Sequence, residues 1–391
     1  MTDLYSESLA LFESTRALRR DFHRHPELGF QEVRTSGIVA KTLMELGLEV
    51  TTGIGKTGVV AMLEGGHPGP VVLLRFDMDA LPIQEETEAE YTSQNPGVMH
   101  ACGHDGHTAV GLTVARLLHA HSQELAGSVK LVFQPAEEGL GGAQAMIDDG
   151  VLESPPPDFA LALHLWNEKP LGWLGIHAGP VMAASEIFKV SLAGKGGHGA
   201  SPHLSVDPLL AAAHVVTALQ GIVSRNVAPL EAAVVSVTSL RGGEAFNVIP
   251  STVEMLGTIR TVLPEVRQRV LERFPQIVEG VAGGMACQAK VEITSITPAV
   301  VNEARIAQGV DEAAHQLWPG QPVDRDFQSM VSEDMALMMQ RIPGCYFMVG
   351  SANPTKGLDA PHHHPRFNID EDALPRAAAL MAASAAHLLR G

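Results

Sequence analysis

The chain has 391 residues, 45% of them apolar, with 38 Gly and 25 Pro and a formal charge of −17. That length calls for roughly two to three domains, and so acidic a chain with no basic block excludes the electrostatic footprint of a nucleic-acid binder. No run approaches the roughly 18–20 apolar residues of a membrane span, and three widely spaced cysteines (Cys102, Cys287, Cys345) argue against a disulfide framework and for a reducing cytoplasm.

Met1–Arg20 reads as an amphipathic helix without the continuous apolar core of a signal peptide. Val71–Phe76 (VVLLRF) reads as a buried strand, followed by Asp77, Asp79 and the turn-forming Pro82. His104–Leu118 reads as a helix, with Asp105 placed to cap its start. Val129–Phe133 and Phe159–Leu165 are further apolar strands, each ending at a polar cluster. Strands alternating with helices of this length predict an α/β architecture with a mostly parallel, buried sheet. Ligands collect at the carboxyl ends of the strands in such sheets. The pattern changes near residue 184. Phe188–Leu192 reads as a strand, Gly194–Gly199 as a turn, Asp207–Ser224 as a helix, Ala232–Leu240 and Val253–Thr261 as half-buried strands, Pro264–Gly280 as a helix and Val291–Thr297 as a strand. That order is the split ferredoxin-like unit. The expected fold is therefore a discontinuous α/β domain over 1–183 and 298–391, its mostly parallel mixed sheet flanked by helices. A ferredoxin-like α+β domain over 184–297 interrupts it.

The densest chemistry lies in His-Ala-Cys-Gly-His-Asp-Gly-His, residues 100–107. Cys102 and His104 can turn toward one point, and a helix N-terminus beside them favours thiolate, the metal-binding form. The plainer reading is a small buried Cys beside a capping His. His107 reads as a structural helix residue. Glu137 and Glu138 are adjacent carboxylates behind Pro135, which cannot donate to a sheet ladder. They are either a solvated acidic turn or a pair in which one binds metal and the other holds a proton. His164 sits inside an apolar strand and His363 within His362–His364. Each signal is weak alone. Together Cys102, His104, Glu138, His164 and His363 offer five N, S and O donors, which suits two closely spaced divalent ions.

The chain resembles the M20 family of metallopeptidases, and within it the amidohydrolase branch of hippurate hydrolases, N-acyl-amino-acid amidohydrolases and auxin-conjugate hydrolases. The resemblance runs through Asp21–Glu27 (DFHRHPE), Arg75–Pro82 (RFDMDALP), His100–His107, Gln134–Gly139 (QPAEEG), Gly194–His203 (GKGGHGASPH), Asn247–Pro250 (NVIP), Gly257–Thr261 (GTIRT) and His363–Phe367 (HHPRF). It implies a dinuclear catalytic domain interrupted by a lid domain that also makes a homodimer. It implies that Cys102, His104, Glu138, His164 and His363 hold two divalent ions, manganese or zinc, with cobalt and nickel as alternatives. Glu137 would be the general base and Asp77 a carboxylate that orients the site. His198 would stabilise the oxyanion in the partner subunit's site, and Asn247 and Arg260 would receive the substrate's carboxylate. Relatives often carry Leu where this chain has His362; counting back from Pro365 and Phe367 selects His363 as the ligand. The expected activity is metal-dependent hydrolysis of the amide bond of a small-molecule N-acyl amino acid in the cytoplasm, with neither nucleic acid nor membrane as partner. The rivals are a dipeptidase or aminopeptidase of the same superfamily and a metal-binding relative without catalysis.

Overall fold

The computed structural model describes residues 3–390; Met1 and Thr2 of the expected first helix lie outside them. The chain divides into two compact units. The first comprises residues through Val181, Val301–Gln328 and the chain from Asp334 on; the second comprises Met182–Val300 and Ser329–Glu333.

The first unit is built on a seven-stranded sheet in the order Glu49–Ile54, Gly58–Glu64, Ala126–Gln134, His67–Asp77, Phe159–Pro170, Gly344–Ala352, Leu174–Gly175. The four central strands, from Ala126–Gln134 to Gly344–Ala352, run parallel, and the pairings toward both edges are antiparallel. The central strands are buried on both faces, which explains their unbroken apolar runs. Helix His104–Ala120 packs on strand His67–Asp77 and is covered in turn by Phe12–Arg24 and Ala373–Leu388. At Gly111 a Cβ would stand 2.7 Å from the Phe76 ring and 2.8 Å from Phe133, so only glycine lets that helix lie so close to the sheet. The N-terminal stretch forms two helices, Leu4–Ala10 and Phe12–Arg24, rather than one.

The second unit has a four-stranded antiparallel sheet in the order Ala233–Arg241, Thr252–Thr261, Ala184–Ala193, Gln288–Thr297. Helices Pro208–Asn226 and Pro264–Gly284 cover one face. Strand–helix–strand–strand–helix–strand connectivity with this order is the ferredoxin-like arrangement. Alternate residues of strand Thr252–Thr261 (Val253, Met255, Ile259) fill its core with Phe188, Val190, Phe274 and Val278, as a period of two requires. Asp207 caps the first helix by accepting from the Leu209 and Leu210 amides. No helix among the described residues is long and apolar enough to cross a membrane.

Candidate metal centre

Strand His67–Asp77 delivers Asp77 and Asp79, the 100–107 segment delivers Cys102 and His104, and the turn after Ala126–Gln134 delivers Glu137 and Glu138. Strand Phe159–Pro170 supplies His164, and the loop before the last helix supplies His363. The five candidate donors fall into overlapping groups. Cys102, His104 and His164 place their ligand atoms within 4.8 Å of one another, and so do Cys102, Glu138 and His363. Cys102 belongs to both. A third such group joins His104 to Glu137 and Glu138.

The ring orientations favour a cation. His104 Nδ1 donates to the Asp79 backbone oxygen at 3.0 Å, which leaves Nε2 as the ring nitrogen facing the site. His164 Nδ1 likewise donates to the Leu165 carbonyl at 2.8 Å, leaving its Nε2 3.5 Å from the Cys102 sulfur. His363 Nε2 lies 3.3 Å from Glu138 Oε1, yet that buried oxygen has no hydrogen-bond partner among the described residues. Burial, followed by the neighbouring rings of His107 and His362, holds His164 well below the usual imidazole range, so its lone pair is available.

The charge balance agrees. Asp77, Asp79, Glu137 and Glu138 converge here, and Arg75 is already committed to Asp77 at 2.6 Å and Asp334 at 3.2 Å. Although burial opposes charge on His104, Asp77 and Asp79 push its pKa up to about 10. The expectation that a helix terminus would favour the Cys102 thiolate is reversed in this field. Burial, then Glu138, Glu137 and Asp77, push the thiol well above its usual range. The terminus is also not capped by Asp105 as the sequence suggested. Gly103 occupies that position with a left-handed backbone (φ 91), and Asp105 is bound by Arg19 and His23. A buried thiol, imidazole nitrogens turned toward one point and surplus carboxylate charge are a donor set suited to divalent metal, whose binding would displace the protons that His104 and the thiol otherwise hold.

Around the donors, Asp77 Oδ1 accepts from His107 Nδ1 at 2.6 Å, and His107 Nε2 accepts from the Leu165 amide at 2.9 Å. Both nitrogens of His107 are thus used in holding the fold. His100 is buried with neither nitrogen hydrogen-bonded among the described residues. Asp79, not singled out in the sequence, accepts from the Glu138 amide at 3.0 Å while its other oxygen lies 3.2 Å from His104 Nδ1. Its signal was its place two residues after Asp77 at the end of an apolar strand.

The remaining candidates lie in the second unit. His198 and Asn247 are exposed and line one open recess. His198 Nδ1 accepts from the Ala200 amide at 3.0 Å, and the Asn247 carbonyl accepts from Gly199 at 2.8 Å. Arg260 does not join them. It lies near the far end of strand Thr252–Thr261, opposite Ser185, donating to the Thr258 hydroxyl and the Ile259 carbonyl.

Residues 73–387 match the family model "Peptidase family M20/M25/M40". The chain is 41% identical over 358 residues to the N-acetylcysteine deacetylase of Bacillus subtilis, covering 91% of this chain and 92% of that one. It is 38% identical over 362 residues to thermostable carboxypeptidase 1 of Saccharolobus solfataricus, covering 91% of each. The solved structure of the Bacillus subtilis YXEP protein, described as a dinuclear metal binding peptidase, superposes with a TM-score of 0.87 at 37% identity, covering 97% of this chain and 99% of that one. The chain belongs to the M20 peptidase family and is a metal-dependent hydrolase of amide or peptide bonds.

Proposed function

We propose that this enzyme cleaves the amide bond of N-acyl amino acids, releasing a carboxylate and a free amino acid. Cys102, His104, Glu138, His164 and His363 would hold two divalent ions, manganese or zinc. The observation that carries the reading is the overlap of two donor groups at Cys102, with Glu137 in the adjoining group. When bound, such ions supply Lewis acidity to the amide carbonyl and to water. Glu137 Oε2, 4.0 Å from His104 Nε2, is the base. It takes a proton from the attacking water and passes it to the leaving amine nitrogen, so one water is consumed per bond cleaved. Asp77 and Asp79 hold His107 and His104 in the orientations described above. From the second unit, His198 would serve as oxyanion donor in the partner subunit's site; Asn247 in its recess and Arg260 at the other end of its strand are each proposed as contacts for the substrate carboxylate, which the two can share only if they come from different subunits. We also assign the second unit to homodimer formation and the enzyme to the cytoplasm.

The deacetylase named among the relatives supports the acyl reading, and the carboxypeptidase supports a peptidase as the second. The test is amino acid release from N-acetyl and N-benzoyl amino acids and dipeptides. The protein is first stripped of metal and then reloaded with manganese, zinc, cobalt or nickel. Metal-dependent turnover favouring acyl substrates, lost in Glu137→Gln, is the expected result. Preference for dipeptides would replace the acylase reading with the peptidase one, and undiminished turnover in Glu137→Gln would remove Glu137 as base.

A further inference from the structure

The N-terminal segment rich in family-like residues plays no part in the chemistry above, yet it is packed against the turn that carries Glu137. Glu32 is completely buried. Its Oε1 accepts from the Ala136 amide at 2.9 Å, and its Oε2 accepts from the Thr57 hydroxyl at 2.5 Å. Ala136 directly precedes Glu137 and has φ +54, a left-handed conformation that costs an L-residue about 1 kcal/mol. Such a conformation persists only where its surroundings enforce it. The Glu32 carboxylate fixes the amide on one side. On another, Gly29 lies so close that a Cβ there would stand 3.0 Å from the Ala136 Cα and 2.8 Å from Leu140. The same segment reaches the neighbouring acidic loop, because the Ala80 amide donates to the Glu27 carbonyl at 2.8 Å, next to Asp79.

We infer that Glu32 is a positioning residue for the base: through the Ala136 amide it holds the strained turn that aims Glu137. This rests on the reading of Glu137 as base. The arrangement has a physical reason. Pro135 donates no hydrogen bond, so the Ala136 amide is the first backbone donor after strand Ala126–Gln134, and a buried donor without a partner is costly. A carboxylate from a remote segment fills that need and fixes the peptide plane one residue ahead of the reacting group.

The test compares Glu32→Ala, Glu32→Gln and Glu32→Asp in the full-length, metal-reloaded enzyme, using the panel substrate that wild type turns over fastest. Glutamine keeps an acceptor for Ala136 and offers its NH2 to the Thr57 oxygen; aspartate keeps the charge but is one methylene short. Expected for Glu32→Ala is a kcat loss of about 10–100-fold, the range for residues that orient a catalytic group, with KM and metal content held. Glutamine should restore most of the rate and aspartate should not. On a Glu137→Gln background Glu32→Ala should add less than about twofold, because two residues acting as a unit are not additive.

Hydrogen exchange gives a readout that needs no substrate. The Ala136 amide should exchange at least about tenfold faster in Glu32→Ala than in Glu32→Gln. Should the alanine protein not fold, the glutamine–aspartate comparison decides by the same criteria. The inference is overturned by wild-type kcat in Glu32→Ala, by aspartate matching glutamine, by a full additional loss on the Glu137→Gln background, or by an Ala136 amide that exchanges as slowly without Glu32 as with it. If Glu137→Gln alone keeps its rate, the base assignment fails separately, while the exchange measurement still reports on the brace.

Discussion

Arg19 Nε and Asp105 Oδ2 meet at 2.7 Å with neither side chain exposed to solvent. The pair joins helix Phe12–Arg24 to the first turn of the helix that begins at His104. The same guanidinium donates to Asn368 Oδ1 at 2.8 Å, and His23 adds a bond to Asp105 at 2.7 Å. Asp105 therefore stays ionised far below the usual carboxylate range. Burial opposes that charge, and Arg19 and His23 outweigh it. Removing one member leaves the other charged in a dry interior. Arg19→Met should cost roughly 3–5 kcal/mol of stability, and the double variant Arg19→Met/Asp105→Leu less than the single. Urea denaturation of the metal-free proteins measures both; a single variant as stable as wild type would show that the pair is dispensable.

The three consecutive histidines divide their work. His362 Nε2 donates to the Leu165 carbonyl at 3.1 Å and its ring packs 5.0 Å from Trp166, whereas His363, with φ +64, turns toward Glu138. His364 Nδ1 accepts from the Arg366 amide. His363→Ala should therefore lose about one of two bound ions, since metal affinity falls steeply with each ligand removed. His362→Leu and His364→Ala should keep both. Metal analysis after dialysis separates the cases, and loss of metal in His364→Ala with retention in His363→Ala would move the ligand by one position.

Much of this was visible in the sequence because apolar runs such as Val71–Phe76 and Val129–Phe133 stop where the polar clusters begin, and a buried strand must end where its chain reaches water or a site. Strand ends were less legible. Phe159–Pro170 continues five residues beyond the expected Leu165, through Asn167, Glu168 and Lys169, because ladder hydrogen bonds continue after the apolar stretch ends. Local pattern points to Asp105 as a cap, whereas its partners in the fold, Arg19 and His23, lie more than eighty residues upstream, where local pattern has no reach. The same difference in reach governs the Cys102 thiol. One helix terminus acts locally, whereas three carboxylates from other strands and turns act together through a medium of low polarity.

The loop that presents His363 is fastened by Asp370, whose carboxylate accepts from Asn353 Nδ2 at 2.6 Å and from Lys356 Nζ at 2.9 Å. Burial raises its pKa, and the bonds from Asn353 and Lys356 outweigh that and lower it. A carboxylate lowered on folding contributes stability in full above its unfolded value, about 4. The contribution is lost as pH falls through the lower, folded value. Asp370→Asn should thus reduce stability at pH 7 and flatten the acid limb of the stability curve below pH of about 4. Denaturant midpoints of both proteins from pH 3 to 7 test it. Parallel curves would mean that Asp370 titrates alike in the folded and unfolded chains.

Lys130 makes the last prediction. It lies within the central strand Ala126–Gln134, where a lysine is out of place on burial grounds. Its ammonium donates to three backbone carbonyls, Val151 at 3.0 Å, Glu153 at 2.5 Å and Pro155 at 2.7 Å. Burial lowers its pKa, and the three carbonyls are the partners its N–H groups find in place of water. Three carbonyls turned toward one point repel one another unless a cation or water sits among them, so the ammonium holds the 151–155 loop against the sheet. Lys130→Met preserves the apolar stem and removes the three donors. It should cost roughly 2–3 kcal/mol, the penalty of leaving buried acceptors unpaired. Lys130→Arg should recover only part, because a planar fork cannot point three donors at one nest. Thermal unfolding of the three proteins orders them as wild type, Arg, Met. If methionine proved as stable as lysine, solvent would be reaching those carbonyls and the ammonium would be incidental to the loop.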